Sequence, residues 1–84
     1  MSDFRKLQNH RVDLEEIIAF SVYTCNKREK GYHDKIYLYP RSRPKDSFEI
    51  YYYIGEDDKL FEEAVQMLDE YFDVKTEEES RILP

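Results

Sequence analysis

The segment over residues 58–72 has its apolar residues at helical spacing, and this pattern constrains the fold more than any other feature of the sequence. Positions three and four residues apart form one apolar stripe, and acidic residues occupy the opposite side. An amphipathic helix must bury its stripe, and the β-rich segments upstream supply apolar residues that can cover it. The stripe comprises Leu60, Phe61, Ala64, Val65, Leu68, Tyr71 and Phe72.

Three segments before this helix are rich in β-branched and aromatic residues, which is typical of strands. They span residues 17–26, 32–39 and 48–54, and polar loops separate them. The first loop contains Gly31, and Pro40 ends the second segment because proline cannot donate to a sheet ladder. The sequence therefore predicts an α+β fold, with a three-stranded antiparallel β-meander packed on one C-terminal amphipathic helix.

The composition excludes several classes of protein. Cys25 is the only cysteine, so the chain has no intrachain disulfide and is not a disulfide-rich scaffold. His10 and His33 are the only histidines and no C-x-x-C motif occurs, so a zinc site lacks ligands. Glycine is scarce and both common phosphate-binding motifs are missing, which argues against a nucleotide-binding enzyme. We expect no cofactor, no metal and no small-molecule substrate.

The sequence also bears on location. The longest uninterrupted apolar run is Ile17–Phe20, whereas a helix that spans a bilayer needs about 20 apolar residues. Residues 1–6 lack the apolar stretch of a signal peptide. Together with the single cysteine, these features predict a cytoplasmic protein that does not contact a membrane.

Alternation along the predicted strands sorts their side chains into two apolar faces. The face expected under the helix comprises Ile18, Phe20, Val22, Ile36, Leu38, Phe48, Ile50, Tyr52 and Ile54. The other face carries five tyrosines, which are Tyr23, Tyr37, Tyr39, Tyr51 and Tyr53. One helix covers only one face, so the tyrosines form an exposed patch of roughly several hundred Å², the size that usually marks an interaction site.

The sequence leaves open what contacts this patch. Ser2 as an N-cap, with Phe4 and Leu7 on one side, predicts a short helical or irregular segment over residues 2–11. That segment could fold back over the tyrosines. The alternatives are a homodimer made by stacking two such sheets, the surface of a partner protein, and a platform on which bases stack.

Charge is distributed unevenly along the chain. Residues 1–45 contain ten basic and six acidic residues, whereas residues 46–84 contain three and thirteen, so the net charges are +4 and −10. A row of carboxylates can imitate the phosphates of a nucleic acid and attract a basic protein surface. Small acidic inhibitors and regulators of phage or mobile-element type share this character. The candidate acidic residues on the helix are Glu62, Glu63, Asp69, Glu70 and Asp73.

The C-terminal end allows two interpretations. Residues 76–79 have the T-x-x-E form of a capping box, which could start a further helical turn. The acidic composition is equally compatible with a flexible tail. We therefore expect one compact α+β domain over residues 1–75 and an acidic C-terminal tail over residues 76–84.

Two further features suggest nucleic-acid binding and catalysis. Basic loops at residues 27–30 and 41–45 would lie about 25 Å apart at opposite ends of the sheet, where they could bracket a single nucleic-acid strand. The charge of the C-terminal half opposes such binding. If the first hairpin is centred near Glu29, Cys25 faces His33, which is the minimum pair for nucleophilic catalysis. Nothing in the sequence orients that histidine, so we do not expect an enzyme.

These observations favour a small, non-catalytic protein-binding module, an acidic inhibitor or regulator that acts on a basic surface of a partner protein. A self-associating structural protein that dimerises through the tyrosines is one alternative. A binder of single-stranded nucleic acid is another. We expect the partner to be a protein or a second copy of the chain, and not a nucleic acid.

Overall fold

The structure, a computed structural model, describes the backbone of residues 2–82 and the side chains of residues 2–73. The described elements are β1 (Phe4–Leu7), β2 (His10–Asp13), β3 (Ile17–Tyr23), β4 (His33–Pro40), β5 (Phe48–Tyr53) and α1 (Asp58–Ile82). Strands β3, β4 and β5 form an antiparallel sheet in that order, and β1 pairs with β2 in a separate two-stranded sheet. The predicted α+β fold, with a three-stranded meander and a C-terminal helix, is therefore confirmed.

The core lies between the aliphatic face of this sheet and α1. Ile36 and Ile50 of the sheet and Leu68 of the helix are fully buried there. Two aromatic pairs also join the sheet to α1. Phe20 contacts Phe72 at 5.5 Å, and Tyr52 contacts Phe61 at 5.4 Å, between ring centroids. The helix stripe thus packs where its spacing predicts, except at Leu60, which is 49% exposed.

A bulge near the start of β3 reverses the prediction for one isoleucine. Ile17 pairs with Pro40 and Ala19 with Tyr39, so β3 has one extra residue between these two pairs. The side chain of Ile17 consequently enters the core and is 3% exposed, whereas Ile18 is 49% exposed. The assignment of Ile18 to the helix-facing side is therefore wrong.

The N-terminal segment is a β-hairpin and not the short helical or irregular segment that its sequence predicts. Its pairs run from Phe4 with Asp13 to Leu7 with His10, which leaves a two-residue turn. Gln8 in this turn has φ = 57°, in the left-handed region that residues other than glycine seldom adopt. The turn therefore lacks the glycine that usually identifies such hairpins in a sequence.

This hairpin packs on the helix side of the sheet. Leu7 and Val12 belong to the same buried cluster as Ile50 and Leu68. The hairpin is also tied to the end of β5, where the side-chain amide of Gln8 donates to a carboxylate oxygen of Asp57 at 2.6 Å. Of the alternatives that the sequence leaves open for the tyrosines, cover by residues 2–11 is therefore contradicted.

The helix α1 continues beyond its predicted end at Phe72 and runs to Ile82. The capping-box pattern at residues 76–79 thus lies inside a helix and does not begin a new one. The side chains of residues 74–82 and the last two residues of the expected tail lie outside the described part of the chain. Within residues 2–82, no helix is long and apolar enough to cross a membrane.

Candidate binding surface

The sheet face that points away from α1 brings all five predicted tyrosines together, and we call it the tyrosine face. Three tyrosines remain 43–51% exposed, namely Tyr23, Tyr51 and Tyr53, while Tyr37 and Tyr39 are half-buried. Strand pairing arranges the face in four rows: Ala19–Tyr39, Ser21–Tyr37–Glu49, Tyr23–Lys35–Tyr51 and His33–Tyr53. Because β1, β2 and α1 all pack on the opposite side, these elements leave the tyrosine face uncovered.

Lys35 stands at the centre of this face between two aromatic rings. Its ammonium lies 5.7 Å from the ring centroid of Tyr23 and 5.4 Å from that of Tyr51, within the range of cation–π contacts. The same nitrogen is 3.6 Å from a carboxylate oxygen of Glu49. Burial alone would lower the pKa of Lys35, but attraction to Glu49 and the neighbouring tyrosines raises it above the usual value.

Glu49 completes this cluster through a hydrogen bond along β5. The hydroxyl of Tyr51 donates to a carboxylate oxygen of Glu49 at 2.5 Å. That hydrogen bond lowers the pKa of Glu49, and the ammonium of Lys35 adds to the effect. It also raises the pKa of Tyr51, because losing the phenolic proton would break the bond beside a carboxylate. The positive and negative charges on the face are therefore paired with each other.

The remaining polar groups hold the rings in place. The His33 ring contacts Tyr51 edge-on at 4.7 Å and Tyr53 at 6.2 Å between centroids. Ser21 Oγ and the Tyr39 hydroxyl lie 3.0 Å apart in a hydrogen bond. These contacts restrict the rotamers of the side chains on this face, and an ordered surface is one that loses little conformational entropy in a contact.

Reasoning from the sequence missed three members of this face. His33 and Lys35 lie at every second position of β4, on the same face as Tyr37. Glu49 lies two positions before Tyr51 in β5 and shares that face. The strand periodicity that selected the tyrosines also selects these three residues. The sequence therefore contains a signal for the charged pair at the centre of the face, because Lys35 and Glu49 share the strand parity of the tyrosines.

The acidic residues predicted on the helix form a second and separate surface. All five are exposed, and their spacing places them along about 16 Å of α1 on the side away from the sheet: Glu62, Glu63, Asp69, Glu70 and Asp73. Among the side chains that the structure describes, none of the five takes part in an ion pair. The fold does not bring this acidic surface and the tyrosine face together.

Several cations of the two basic loops form contacts with other groups of the same chain. Arg28 Nη1 lies 2.7 Å from Oδ1 of the buried Asp34, and Arg41 Nε donates to the Glu15 carbonyl at 3.2 Å. The hydrogen bond with Asp34 is the main reason that the pKa of Arg28 is raised. Lys27 lies 5.4 Å from the ring centroid of Tyr32 in the same loop. These contacts give three of the loop cations a structural role.

Cys25 and His33 have different surroundings. The β3–β4 ladder ends at the pair Tyr23–Lys35, so Cys25 lies beyond it. The Cys25 amide donates to Asp34 Oδ1 at 2.9 Å, whereas the His33 ring contacts tyrosines. Among the contacts that the structure describes for Cys25 and His33, none joins the two side chains.

The described part of the chain also contains shallow pockets. One lies between β1 and α1 with a volume of about 260 Å³. Another, between β2 and the sheet, has about 270 Å³. Both fall below the roughly 300–1,000 Å³ typical of sites for small organic ligands. The flat tyrosine face is consequently the better candidate site.

Comparison of the chain with known protein families, with curated proteins and with solved structures found no match. The interpretation of the two surfaces therefore depends on their own geometry and chemistry.

Proposed function

We propose that this chain is a small, non-catalytic protein-binding module that regulates or inhibits a partner protein, and that the tyrosine face makes the contact. The observation that supports this function is the position of the other elements. Both the N-terminal hairpin and α1 pack on the opposite side of the sheet, which leaves Tyr23, Tyr51 and Tyr53 about half exposed. Clustered, ordered aromatic side chains of this kind are enriched at protein interfaces.

The balance of charge on this face favours a protein over a nucleic acid. Lys35 is the cation at its centre, and Glu49 pairs with it at 3.6 Å. A protein surface that binds nucleic acid gains its affinity by neutralising phosphates with unpaired cations. A nearly neutral aromatic surface with satisfied polar groups instead matches a mixed apolar and polar protein surface.

The acidic surface of α1 supports a second candidate function, the binding of a basic partner surface. The observation that favours it is the absence of ion pairs at its five carboxylates among the described side chains. Unpaired carboxylates along one side of a helix attract a positively charged groove and accelerate association at low salt. This is the acidic inhibitor that the sequence favours.

Two sets of substitutions distinguish these candidates. The tyrosine variant carries Tyr51→Ser and Tyr53→Ser, and the helix variant carries Glu62→Gln, Glu63→Gln, Asp69→Asn and Glu70→Gln. Each variant and the native chain would be immobilised and exposed to nuclease-treated lysate, and retained proteins would be identified by mass spectrometry. Circular dichroism would first show that both variants fold like the native chain.

We expect a stoichiometric partner that the native chain and the helix variant retain and the tyrosine variant loses. Isothermal titration with the purified partner should then show at least about a tenfold weaker affinity for the tyrosine variant. A partner lost only by the helix variant would favour the second candidate. A partner that both variants retain equally would contradict both proposals.

We also propose that the protein acts in the cytoplasm. A single cysteine without a disulfide partner is typical of a reducing compartment. Fractionation of the source cells, followed by detection of the native chain with an antibody, would test this location.

A further inference from the structure

The two edges of the three-stranded sheet differ in whether other residues bond their outward-facing main-chain groups. At the β5 edge, the side-chain amide of Gln8 donates to the Tyr51 carbonyl at 3.3 Å. Asp57 accepts the Tyr53 amide at 2.9 Å through its side chain and donates its own amide to the Tyr53 carbonyl at 2.8 Å. These contacts occupy the outward-facing Tyr51 carbonyl and both main-chain groups of Tyr53, so they obstruct strand pairing at this end of β5.

The β3 edge has no such cover within the described residues. In an antiparallel sheet, the main-chain groups of successive residues point alternately to one neighbour and to the other. The main-chain groups of Tyr51 and Tyr53 point outward from β5, so the main-chain groups of Ile50 and Tyr52 bond to β4. Continuing this alternation across β4 directs the amides and carbonyls of Phe20 and Val22 away from the sheet. No residue that the structure describes bonds these four groups.

The sequence of β3 lacks most of the devices that usually protect an edge. Residues 17–23 contain neither a charged side chain nor a proline, and β-branched and aromatic residues predominate. Edge strands in monomeric proteins normally carry lysine, proline or a bulge. Here the only one of these devices is the bulge between Ile17 and Ala19, which leaves residues 19–23 regular.

We propose that β3 pairs antiparallel with β3 of a second copy, so that two three-stranded sheets join into one six-stranded sheet. A two-fold axis at Ser21 places Phe20 opposite Val22 of the second copy, and all four outward groups of each strand then bond. The small Ser21 side chains meet at the closely spaced central pair. The same register sets the exposed Tyr23 against the small Ala19, so large and small side chains complement each other.

This dimer differs from a face-to-face stack because it leaves the tyrosine face open. It extends that face across both copies, and the acidic surfaces of the two helices lie on the other side. Each copy carries a net charge of −6, whereas β3 itself is uncharged. Salt screens the repulsion between copies, so we expect the dimer to strengthen as ionic strength rises.

Sedimentation velocity of the full chain would test this inference. A five-residue strand pair is a small interface, so the measurement should span about 5 to 500 μM protein at about 0.15 and 0.5 M NaCl. We expect a concentration-dependent shift from the 10.3 kDa monomer to twice that mass, which is larger at the higher salt. A monomer at every concentration and salt would overturn the inference.

The matched variants change one outward-facing main-chain group, the amide of Val22. Val22→Pro removes an outward amide while sparing the β4 ladder, because proline is tolerated on edge strands. Val22→Thr keeps the amide and the branched shape and is the control. We expect at least about a tenfold loss of association for Val22→Pro and little change for Val22→Thr. Val22→Lys, which adds an edge charge, should give the same loss if the proline variant does not fold.

Two other outcomes separate this inference from the proposed function. A dimer that survives both Val22→Pro and Val22→Lys would overturn the edge pairing. A dimer that dissociates with Tyr51→Ser and Tyr53→Ser but not with Val22→Pro would also overturn it, in favour of stacking through the tyrosine face. Partner binding through the tyrosine face is measured separately, so the edge pairing can fail while the proposed function holds.

Discussion

Arg28 Nη1 lies 2.7 Å from Oδ1 of Asp34, and that carboxylate is 2% exposed at its side chain. The same oxygen accepts the Cys25 amide at 2.9 Å, and Arg28 Nη2 lies 3.7 Å from Asp58 at the start of α1. One buried carboxylate therefore joins the β3–β4 loop to the sheet, and the arginine extends this link to the helix. The basic loop residue that suggests a nucleic-acid contact in the sequence thus has a structural role.

Replacing Asp34 should destabilise the fold. Asp34→Ala removes the acceptor of the Cys25 amide and the shorter of the two ion pairs of Arg28, so we expect the free energy of unfolding to fall by about 1–3 kcal/mol. Urea unfolding followed by circular dichroism measures this loss. Asp46→Ala is the matched control, because Asp46 also faces an arginine but is 67% exposed at a distance of 3.9 Å. Equal stability of Asp34→Ala and the native chain would contradict the structural role.

The hydrogen bond between Tyr51 and Glu49 predicts a pH window for the tyrosine face. The pKa of Glu49 is lowered below its usual 4.5, so its contribution is present above that pH and is lost as the pH falls through the lowered pKa. The pKa of Tyr51 is raised above its usual 10.0, so its contribution is present below pH 10.0 and is lost as the pH rises through the raised pKa. The contact is therefore intact between these two limits.

Tyr51→Phe should raise the pKa of Glu49 toward its usual value, because the largest favourable contact of the carboxylate is removed. A carbon-detected NMR titration of the Glu49 carboxyl measures the change. Tyr53→Phe is the matched control on the same strand and face, and we expect it to leave the pKa of Glu49 where it is in the native chain. An equal shift in both variants would show that the hydrogen bond is not the cause.

Tyr52 contrasts with its two neighbours because its side chain points into the core. It is 1% exposed, and no residue that the structure describes forms a hydrogen bond with its hydroxyl. Burial, with a smaller effect of Asp57, raises the pKa of Tyr52 to about 12. Because the folded pKa exceeds the usual 10.0, stability that is present below pH 10.0 is lost as the pH rises toward 12.

Tyr52→Phe should therefore keep or increase stability at neutral pH, by up to about 1 kcal/mol, because it removes a buried hydroxyl without a partner. It should also reduce the loss of stability above pH 10.0. Tyr52→Ala should instead cost about 3–5 kcal/mol through the cavity it creates. Thermal unfolding at neutral and alkaline pH tests all three expectations. A large loss in Tyr52→Phe at neutral pH would show that the hydroxyl has a partner in solution.

The sequence was sufficient to predict the elements with strong periodicity. Alternation assigned the tyrosines to one face, and the apolar stripe placed α1 on the other, because both patterns arise directly from strand and helix geometry. The central pair of Lys35 and Glu49 follows from the same alternation. The position of the N-terminal segment does not, because its turn at Gln8 uses a positive φ without glycine. Contacts of Gln8 with β5 and Asp57, distant in sequence, stabilise that turn.

The bulge in β3 was equally hidden, since the run Ile17–Phe20 contains four consecutive apolar residues and no glycine marks the extra position. A strict alternation places Ile18 and Phe20 on one face. The structure instead buries Ile17, which lies near the 3-10 turn Leu14–Glu16 that leads into the strand. Glu16 fixes this start of the strand, because its carbonyl accepts the Arg41 amide at 2.7 Å.

Alanine substitutions at the two isoleucines test the bulge directly. Ile17→Ala should reduce the free energy of unfolding by about 2–5 kcal/mol, because Ile17 is 3% exposed and its removal leaves a cavity in the core. Ile18→Ala should change it by less than about 1 kcal/mol, because that side chain is 49% exposed. The two variants remove the same atoms from adjacent positions, so each controls for the other in chemical denaturation. A strand without the bulge would reverse their order, and equal losses would mean that both side chains contact the core.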